Sequence, residues 1–299
     1  MLKLSEYAFL AALMSVALAL LCHVLVLGSV RVVRAGTATA GGPSGRVSSP
    51  VAVRGALRRP GGVGAYGTLT AWLALGFLTA SLVFRTIATG HGPFANMYEF
   101  SVAFAWGALA AYAYFDRRYG QRILGAIVLV VALALLLYAT TIPATIDPLV
   151  PALQNSLLLT VHVAVAIIAY GAFSVAFAAA ALHLVQPKGG RRGLPKPDLL
   201  DEIAHRAVVV GYPFLTLTVV LGAIWAEIAW GKYWSWDPKE TASLVTWLVY
   251  GAYLHARVVH GWRGRKAAWL LIAGFAATMF TFYGNLFFGG LHAYAAIWM

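Results

Sequence analysis

The stretch from Tyr7 to Val30 reads YAFLAALMSVALALLCHVLVLGSV and contains no charged side chain. An α-helix needs about 20 apolar residues to cross the roughly 30 Å hydrocarbon core of a membrane. No basic segment typical of a signal peptide precedes the stretch, and no clear small-residue cleavage site follows it. We therefore interpret it as a retained membrane span.

Apolar runs of similar length recur along the whole chain, of which 61% of the residues are hydrophobic and 11% are charged. A water-soluble protein of 299 residues could not cover so much apolar surface with so few charges. The sequence therefore predicts an all-α, polytopic membrane bundle of about eight transmembrane helices. The predicted spans are residues 7–30, 67–88, 96–115, 122–142, 154–185, 206–229, 240–259 and 266–288.

The positive charge is concentrated in alternate loops between these spans. Of the 22 Lys and Arg residues, 18 lie in four segments and four lie elsewhere. Because basic residues accumulate on the cytoplasmic side, this division predicts that both chain termini lie on the outer face. It also accounts for the net charge of +12 without a nucleic acid partner. The four segments are residues 31–66, 116–122, 186–206 and 256–266.

The first of these segments separates the chain into three parts. Residues 1–30 form the first span, and residues 31–66 are predicted to be a flexible, basic cytoplasmic linker that contacts anionic lipid. Residues 67–299 form a seven-span domain. Cys22 is the single cysteine, so the chain has neither a disulfide nor a CxxC pair, and without CxxCH it is not itself a c-type cytochrome.

The segment Trp225–Tyr250 reads WAEIAWGKYWSWDPKETASLVTWLVY and holds five of the ten tryptophans. Aromatic belts at the membrane interface explain one or two tryptophans at a helix end. They explain the four tryptophans between Trp225 and Trp236 less well. The alternative is that the tryptophans form a platform for a large, flat ligand. Haem fits this description, and three cations on the same predicted side of the membrane could bind its propionates. These cations are Arg85, Lys232 and Lys239.

Part of this segment has a structural explanation. Asp237-Pro238-Lys239-Glu240 has the residue types of a capping box with proline at the first helical position. Asn96-Met97-Tyr98-Glu99 has the same pattern, an N-cap residue followed three positions later by glutamate, at the start of the third span. Neither Asp237 nor Glu240 therefore needs a catalytic role.

The histidines divide into two groups. His91, His162 and His292 fall on the predicted outer side, and His255 lies about 15 residues, or roughly 22 Å, into the seventh span. An ionisable residue at that depth is a functional candidate. Two neutral imidazoles could bind the iron of haem, whereas zinc would normally recruit Cys or carboxylate ligands. For His162, a packing role remains an equal alternative. The other four histidines have structural explanations: His23, His183, His205 and His260.

These motifs together resemble one family. The stretch WGKYWSWDPKE resembles the tryptophan-rich signature of the haem-handling proteins of cytochrome c maturation. GHGPFANMYE at residues 90–99, His162-Val163 and GGLHAY at residues 289–294 agree with the CcsA (ResC) family of system II synthases. CcmC-like chains share the signature but are shorter, and CcmF-like chains are much longer. Ala242 stands where the family usually has tryptophan, and the linker is longer than in the family.

The resemblance implies an outer haem site with His162 and His292 as axial ligands and the tryptophan-rich segment (residues 225–240) against the porphyrin. It implies a second haem site in the membrane, with His255 as one ligand and a ResB-like partner subunit supplying the other. The implied function is to move haem b across or within the bacterial cytoplasmic membrane for thioether attachment to the CxxCH of apocytochrome c. The implied cofactor-binding residues are His162, His292, His255, Trp225, Trp230, Trp234, Trp236, Asp237, Arg85 and Lys239.

Two other functions remain open at this point. An electron-transfer protein of the cytochrome b type would pair histidines within the spans of one chain, and quinol oxidation would distinguish it. A transporter of another flat amphiphile would lack an iron-porphyrin spectrum. No residue is assigned as a general acid or base.

Overall fold

The computed structural model describes residues 1–37, 62–146, 149, 153–154, 156–187, 193–284 and 287–292. These residues form eight α-helices and one 3₁₀ turn at Arg122–Leu124, and they contain no β-strand. The helices are α1 (Leu2–Thr37), α2 (Val63–Thr89), α3 (Met97–Tyr119), α4 (Gly125–Thr140), α5 (Ser156–Leu184), α6 (Pro197–Trp230), α7 (Pro238–Val259) and α8 (Arg265–Tyr283).

The prediction of a polytopic helical membrane protein is confirmed. Six helices are long and apolar enough to cross a membrane, namely α1, α2, α4, α5, α6 and α8. Helices α3 and α7 have 23 and 22 residues, so at 1.5 Å per residue each is about 33 Å long, which is enough to span. Their lower hydropathy comes from charged residues near both ends, Glu99 and Asp116 in α3 and Lys239 and Arg257 in α7.

Several helix ends differ from the predicted boundaries. Helix α1 continues past Val30 to Thr37, because the residues between them contain no proline and no glycine before Gly36. Helix α2 begins at Val63, and the rest of the predicted linker, residues 38–61, lies outside the described residues. Helix α8 ends at Tyr283 and not at residue 288.

Helices α3 and α5 form the centre of the bundle. A Cβ atom on Gly171 of α5 would overlap the carbonyl oxygen of Gly107 on α3. Conversely, a Cβ atom on Gly107 would lie 2.6 Å from Cγ2 of Ile167. Small residues at such crossings let two membrane helices pack with their backbones in close contact. The remaining helices surround this pair, and α6 packs along α5.

The predicted helix caps are present on the side of the bundle where α3 and α7 begin. Asp237 accepts a hydrogen bond from the backbone N–H of Lys239, and the Glu240 carboxylate accepts one from the N–H of Asp237, which completes the capping box. Asn96 caps α3 by accepting from the N–H of Glu99. The Glu99 carboxylate has a different donor from the one that a capping box predicts: it accepts a hydrogen bond from the N–H of Ala95, at 2.7 Å, and not from that of Asn96.

Candidate functional site

A cavity opens between α3, α5, α6 and α7, beside the tryptophan-rich segment, and holds about 960 Å³ including its mouth. Its wall includes the imidazoles of His162 and His292, which are 130 residues apart in the sequence (292 minus 162). The rest of the wall is largely apolar and aromatic. A concave, mostly apolar surface with a few convergent polar groups is typical of a small-molecule or cofactor site.

His162 lies on α5 and its ring faces α6. Its Nδ1 atom is 3.0 Å from the backbone oxygen of Thr218. A carbonyl oxygen only accepts hydrogen bonds, so Nδ1 carries the proton and Nε2 has the lone pair. Gly222, one helical turn after Thr218, makes room for the ring, because a Cβ atom there would lie 2.8 Å from Cε1 of His162. Helix α6 thus fixes both the position and the tautomer of this imidazole.

His292 lies on a turn after α8, and Asp237 holds its ring. Its Nδ1 atom is 2.7 Å from Oδ2 of Asp237, and the two side chains are 13% and 3% exposed. Burial lowers the pKa of His292 below its usual value, although the hydrogen bond to Asp237 opposes that shift. The imidazole is therefore neutral at neutral pH and donates its Nδ1 proton, which leaves the lone pair on Nε2.

Asp237 joins the loop before α7 to the turn that carries His292. Besides His292, its carboxylate accepts hydrogen bonds from the N–H groups of Lys239 and Leu291, at 3.1 and 2.6 Å. Burial alone would raise the pKa of Asp237, but the bonds from His292 and from these N–H groups hold it below its usual value. A Cβ atom on Gly290 would overlap Oδ1 of Asp237, so glycine is required there.

The tryptophans have three different positions around this site. Trp225 and Trp230 pack against the His292 ring, with centroids 5.7 and 4.9 Å away. Trp225 and Trp234 line the cavity. Trp236 has a φ of 59° and is 69% exposed, so it lies outside the cavity wall. The centroid of its ring is 5.7 Å from that of Trp234. The predicted platform is therefore divided between residues that support a histidine and residues that form the wall and its rim.

Trp247, the fifth tryptophan of the motif, belongs to the contact between α6 and α7. It stacks on Tyr212 with ring centroids 5.7 Å apart and donates from Nε1 to Oγ1 of Thr216 at 2.9 Å. It does not line the cavity.

Of the three predicted propionate partners, Lys239 lines the cavity. Its Nζ atom is 5.1 Å from the Phe100 ring centroid, and no carboxylate of the described residues forms an ion pair with it. Lys232 is exposed in the loop. The ammonium of Lys239 is therefore available to an anionic group in the cavity.

Arg85 has a different set of partners from the one predicted. It is 2% exposed, its Nε atom is 2.8 Å from Oε1 of Glu99, and its other nitrogens donate to the backbone oxygens of Ala144 and Thr145. The guanidinium binds α2 to α3 and to the segment after α4, away from the cavity wall. Arg85 is therefore not among the residues that line the cavity.

The remaining histidine candidates lie away from the cavity. His255 is exposed on α7, with the His260 ring 5.7 Å away. His91 donates from Nδ1 to the backbone oxygen of Gly92 in the loop before α3. Within the described ranges no three His, Cys, Asp or Glu side chains cluster as a metal site would require.

The sequence did not point to several residues of the wall. Thr218 binds His162 through its backbone oxygen, and Gly222 leaves room for the ring because it has no side chain. Neither feature leaves a distinctive pattern in the sequence. Met97 and Phe100, both in the first turn of α3, also line the cavity. Their place directly after GHGPFAN is the signal that could have suggested them.

Comparison with known proteins places this geometry in a family. The family described as "Cytochrome C assembly protein" matches residues 94–292, which include both cavity histidines and the tryptophan-rich segment. The cytochrome c biogenesis protein CcsA of Synechococcus elongatus is 33% identical over 287 residues, covering 78% of this chain and 88% of the relative. CcsA of Guillardia theta is 35% identical over 245 residues, covering 73% and 81%.

A solved structure shows the same arrangement of helices. The structure of the cytochrome c heme lyase CcmF matches with a TM-score of 0.60 at 23% identity, covering 99% of this chain. The chain spans about half the length of that structure, 48%. The chain therefore belongs to the cytochrome c assembly protein family, within which it is a relative of the cytochrome c biogenesis protein CcsA.

Proposed function

We propose that this protein holds haem b between His162 and His292 on the outer face of a bacterial cytoplasmic membrane and presents it to apocytochrome c. One observation carries the proposal. Two imidazoles from distant parts of the chain line one cavity, and both use Nδ1 as the hydrogen-bond donor, which supports Nε2 as the nitrogen of each that would bind iron. The outer location rests on the distribution of basic residues.

The residues present suit haem. Imidazole nitrogen is a favourable ligand for iron, and two axial histidines complete a six-coordinate site. The wall offers Trp234 and Phe100 as aromatic surfaces, and Lys239 offers a charge for a propionate. When bound, haem supplies the iron and the vinyl groups that thioether formation needs.

The contribution of the chain to attachment is orientation. The two histidines define the position of the ligand, and the aromatic wall excludes water around it. Holding two reactants at near-attack distance can contribute as much as about 7–11 kcal/mol to a reaction of this kind. No side chain in the cavity needs to move a proton for this, so we assign no general acid or base.

The test is the visible spectrum of the purified protein in its oxidised and reduced forms. The proposal expects the sharp reduced bands of low-spin haem with two imidazole ligands. Absence of an iron-porphyrin spectrum after expression with sufficient haem would contradict it. Rapid oxidation of quinol by the purified protein would favour an electron-transfer function of the cytochrome b type.

Replacement of Lys239 by glutamine is expected to weaken haem binding by roughly tenfold to a hundredfold, because a hydrogen bond to a charged group contributes about 1.5–3 kcal/mol. The measurement is a haem titration of the haem-free protein followed by absorbance. Lys239→Arg keeps the charge and should retain most of the affinity. Lys232→Gln is the matched control, since Lys232 is an exposed lysine in the loop directly before α7. Equal affinity in Lys239→Gln and Lys232→Gln would contradict the assignment.

We further propose that a ResB-like subunit covers α7 and completes a second haem site at His255. An imidazole that faces outward from a membrane helix is costly unless a partner or ligand satisfies it, and His255 is exposed on α7. In the complex with that subunit, His255→Ala is expected to remove about half of the bound haem and to leave the outer site occupied. His260→Ala is the control, because the His260 ring is also exposed and lies next to that of His255. Full haem content in His255→Ala would contradict this part of the proposal.

A further inference from the structure

The two cavity histidines have unequal hydrogen-bond partners. His292 donates from Nδ1 to a carboxylate, Oδ2 of Asp237, at 2.7 Å. His162 donates from Nδ1 to a backbone carbonyl, the oxygen of Thr218, at 3.0 Å. A hydrogen bond to an ionised acceptor is shorter and about twice as strong as one between neutral groups. The proton of His292 is therefore drawn further from its ring.

This difference changes what the other ring nitrogen can do. A carboxylate on one side of a metal-binding imidazole raises the basicity of the nitrogen on the opposite side and fixes the orientation of the ring. A more basic ligand, with a negative charge behind it, favours the more positive ferric iron over ferrous iron. Hydrogen bonding around the axial ligand is one of the means by which a protein sets a haem potential.

We infer that Asp237 is a positioning residue for His292, which orients its ring and strengthens its bond to iron, so that the site favours ferric haem. This inference rests on the proposed function, because it requires haem to bind at His292. It assigns Asp237 a second role besides capping α7, and it makes His292 the stronger of the two axial ligands.

The surroundings of Asp237 suit this role. The residue is 6% exposed, and its two carboxylate oxygens accept three hydrogen bonds, from the N–H groups of Lys239 and Leu291 and from His292. Gly290 lies so close to Oδ1 that no side chain fits between them. Because the loop and the turn both hold the carboxylate, it cannot rotate away from the ring without breaking the helix cap.

The decisive variant is Asp237→Asn, studied in the full-length protein loaded with haem. Asparagine is also a good N-cap residue and keeps an oxygen for the His292 proton, but it has no charge. We expect the reduction potential of the bound haem to rise. A tenfold loss of ferric relative to ferrous affinity corresponds to about 59 mV for one electron. Haem affinity should also fall by roughly 10- to 100-fold, as when other metal-binding histidines lose such a partner.

A second variant tests the same carboxylate without changing the charge. In Gly290→Ala the new methyl group displaces Asp237 from the ring, so the potential should rise as in Asp237→Asn. Ser235→Ala is the matched control, because Ser235 lies in the loop before α7 and its Oγ donates to both carboxylate oxygens of Glu240 and not to Asp237 or His292. Its potential should equal that of the wild type.

The outcomes separate this inference from the proposed function. A wild-type protein without haem bands would overturn the proposed function. Haem bands in the wild type together with the same potential in Asp237→Asn would overturn the role of Asp237 alone. A purely structural role predicts lower haem content in Asp237→Asn with an unchanged potential in the haem that remains.

Discussion

Replacement of His292 or of His162 by alanine is expected to remove most of the haem from the purified protein. Each substitution deletes one of the two imidazoles that line the cavity and that we propose as ligands of the iron. The loss of affinity should exceed the roughly 10- to 100-fold that follows when a ligand loses only its hydrogen-bond partner. The measurement is the haem-to-protein ratio, together with the reduced visible spectrum.

Free imidazole provides the first control for these two variants. Alanine leaves a gap of the size of the missing ring, so added imidazole should occupy it and restore the low-spin bands. A variant that had lost its fold would not respond. His91→Ala is the second control, because His91 lies in a nearby loop and bonds to Gly92 without lining the cavity. Unchanged spectra in both His162→Ala and His292→Ala would move the haem to other ligands.

The helices could be predicted from the sequence because each depends on a local property. A run of about 20 apolar residues is sufficient for a membrane helix, and all eight predicted spans correspond to a helix in the described part of the chain. The cap at Asp237 was equally local, since its residues are three apart. Helix ends without such a cap, as at Thr37, were placed less well.

The site required information that the sequence does not hold locally. His162 and His292 were paired by the resemblance to a family, because spacing alone cannot show that residues so far apart share a cavity. The separation of Trp234 from Trp236 depends on the backbone at Trp236, whose φ of 59° turns its ring to the outside. Composition identified the tryptophan-rich segment but not which of its rings line the cavity.

Arg85 shows the same limit for charged residues. The prediction grouped it with Lys232 and Lys239 by side of the membrane. Glu99 and the backbone oxygens after α4 instead surround its guanidinium. Partners of a buried charge depend on the packing of several elements, so a count of charges by side could not identify them.

Removal of either partner of the Arg85–Glu99 pair is expected to destabilise the fold strongly. The side chains of Arg85 and Glu99 are only 3% and 2% exposed, and Nε of Arg85 is 2.8 Å from Oε1 of Glu99. Deleting one member of a buried pair leaves the other charge without compensation, which typically costs about 3–5 kcal/mol of the free energy of unfolding. Arg85→Ala and Glu99→Ala should therefore unfold at clearly lower temperature in detergent.

The exposed pair of Arg206 and Glu202 provides the matched control. Its side chains are 62% and 42% exposed, and such pairs contribute about 0–1 kcal/mol, so Arg206→Ala should unfold near the wild-type temperature. Equal stability of Arg85→Ala and Arg206→Ala would contradict the prediction.

Glu99 also accepts a hydrogen bond from the N–H of Ala95, which lies directly before the N-cap of α3. Met97, the first residue of α3, lines the cavity. Glu99→Ala should therefore lower haem affinity as well as stability, although neither Arg85 nor Glu99 contacts the cavity.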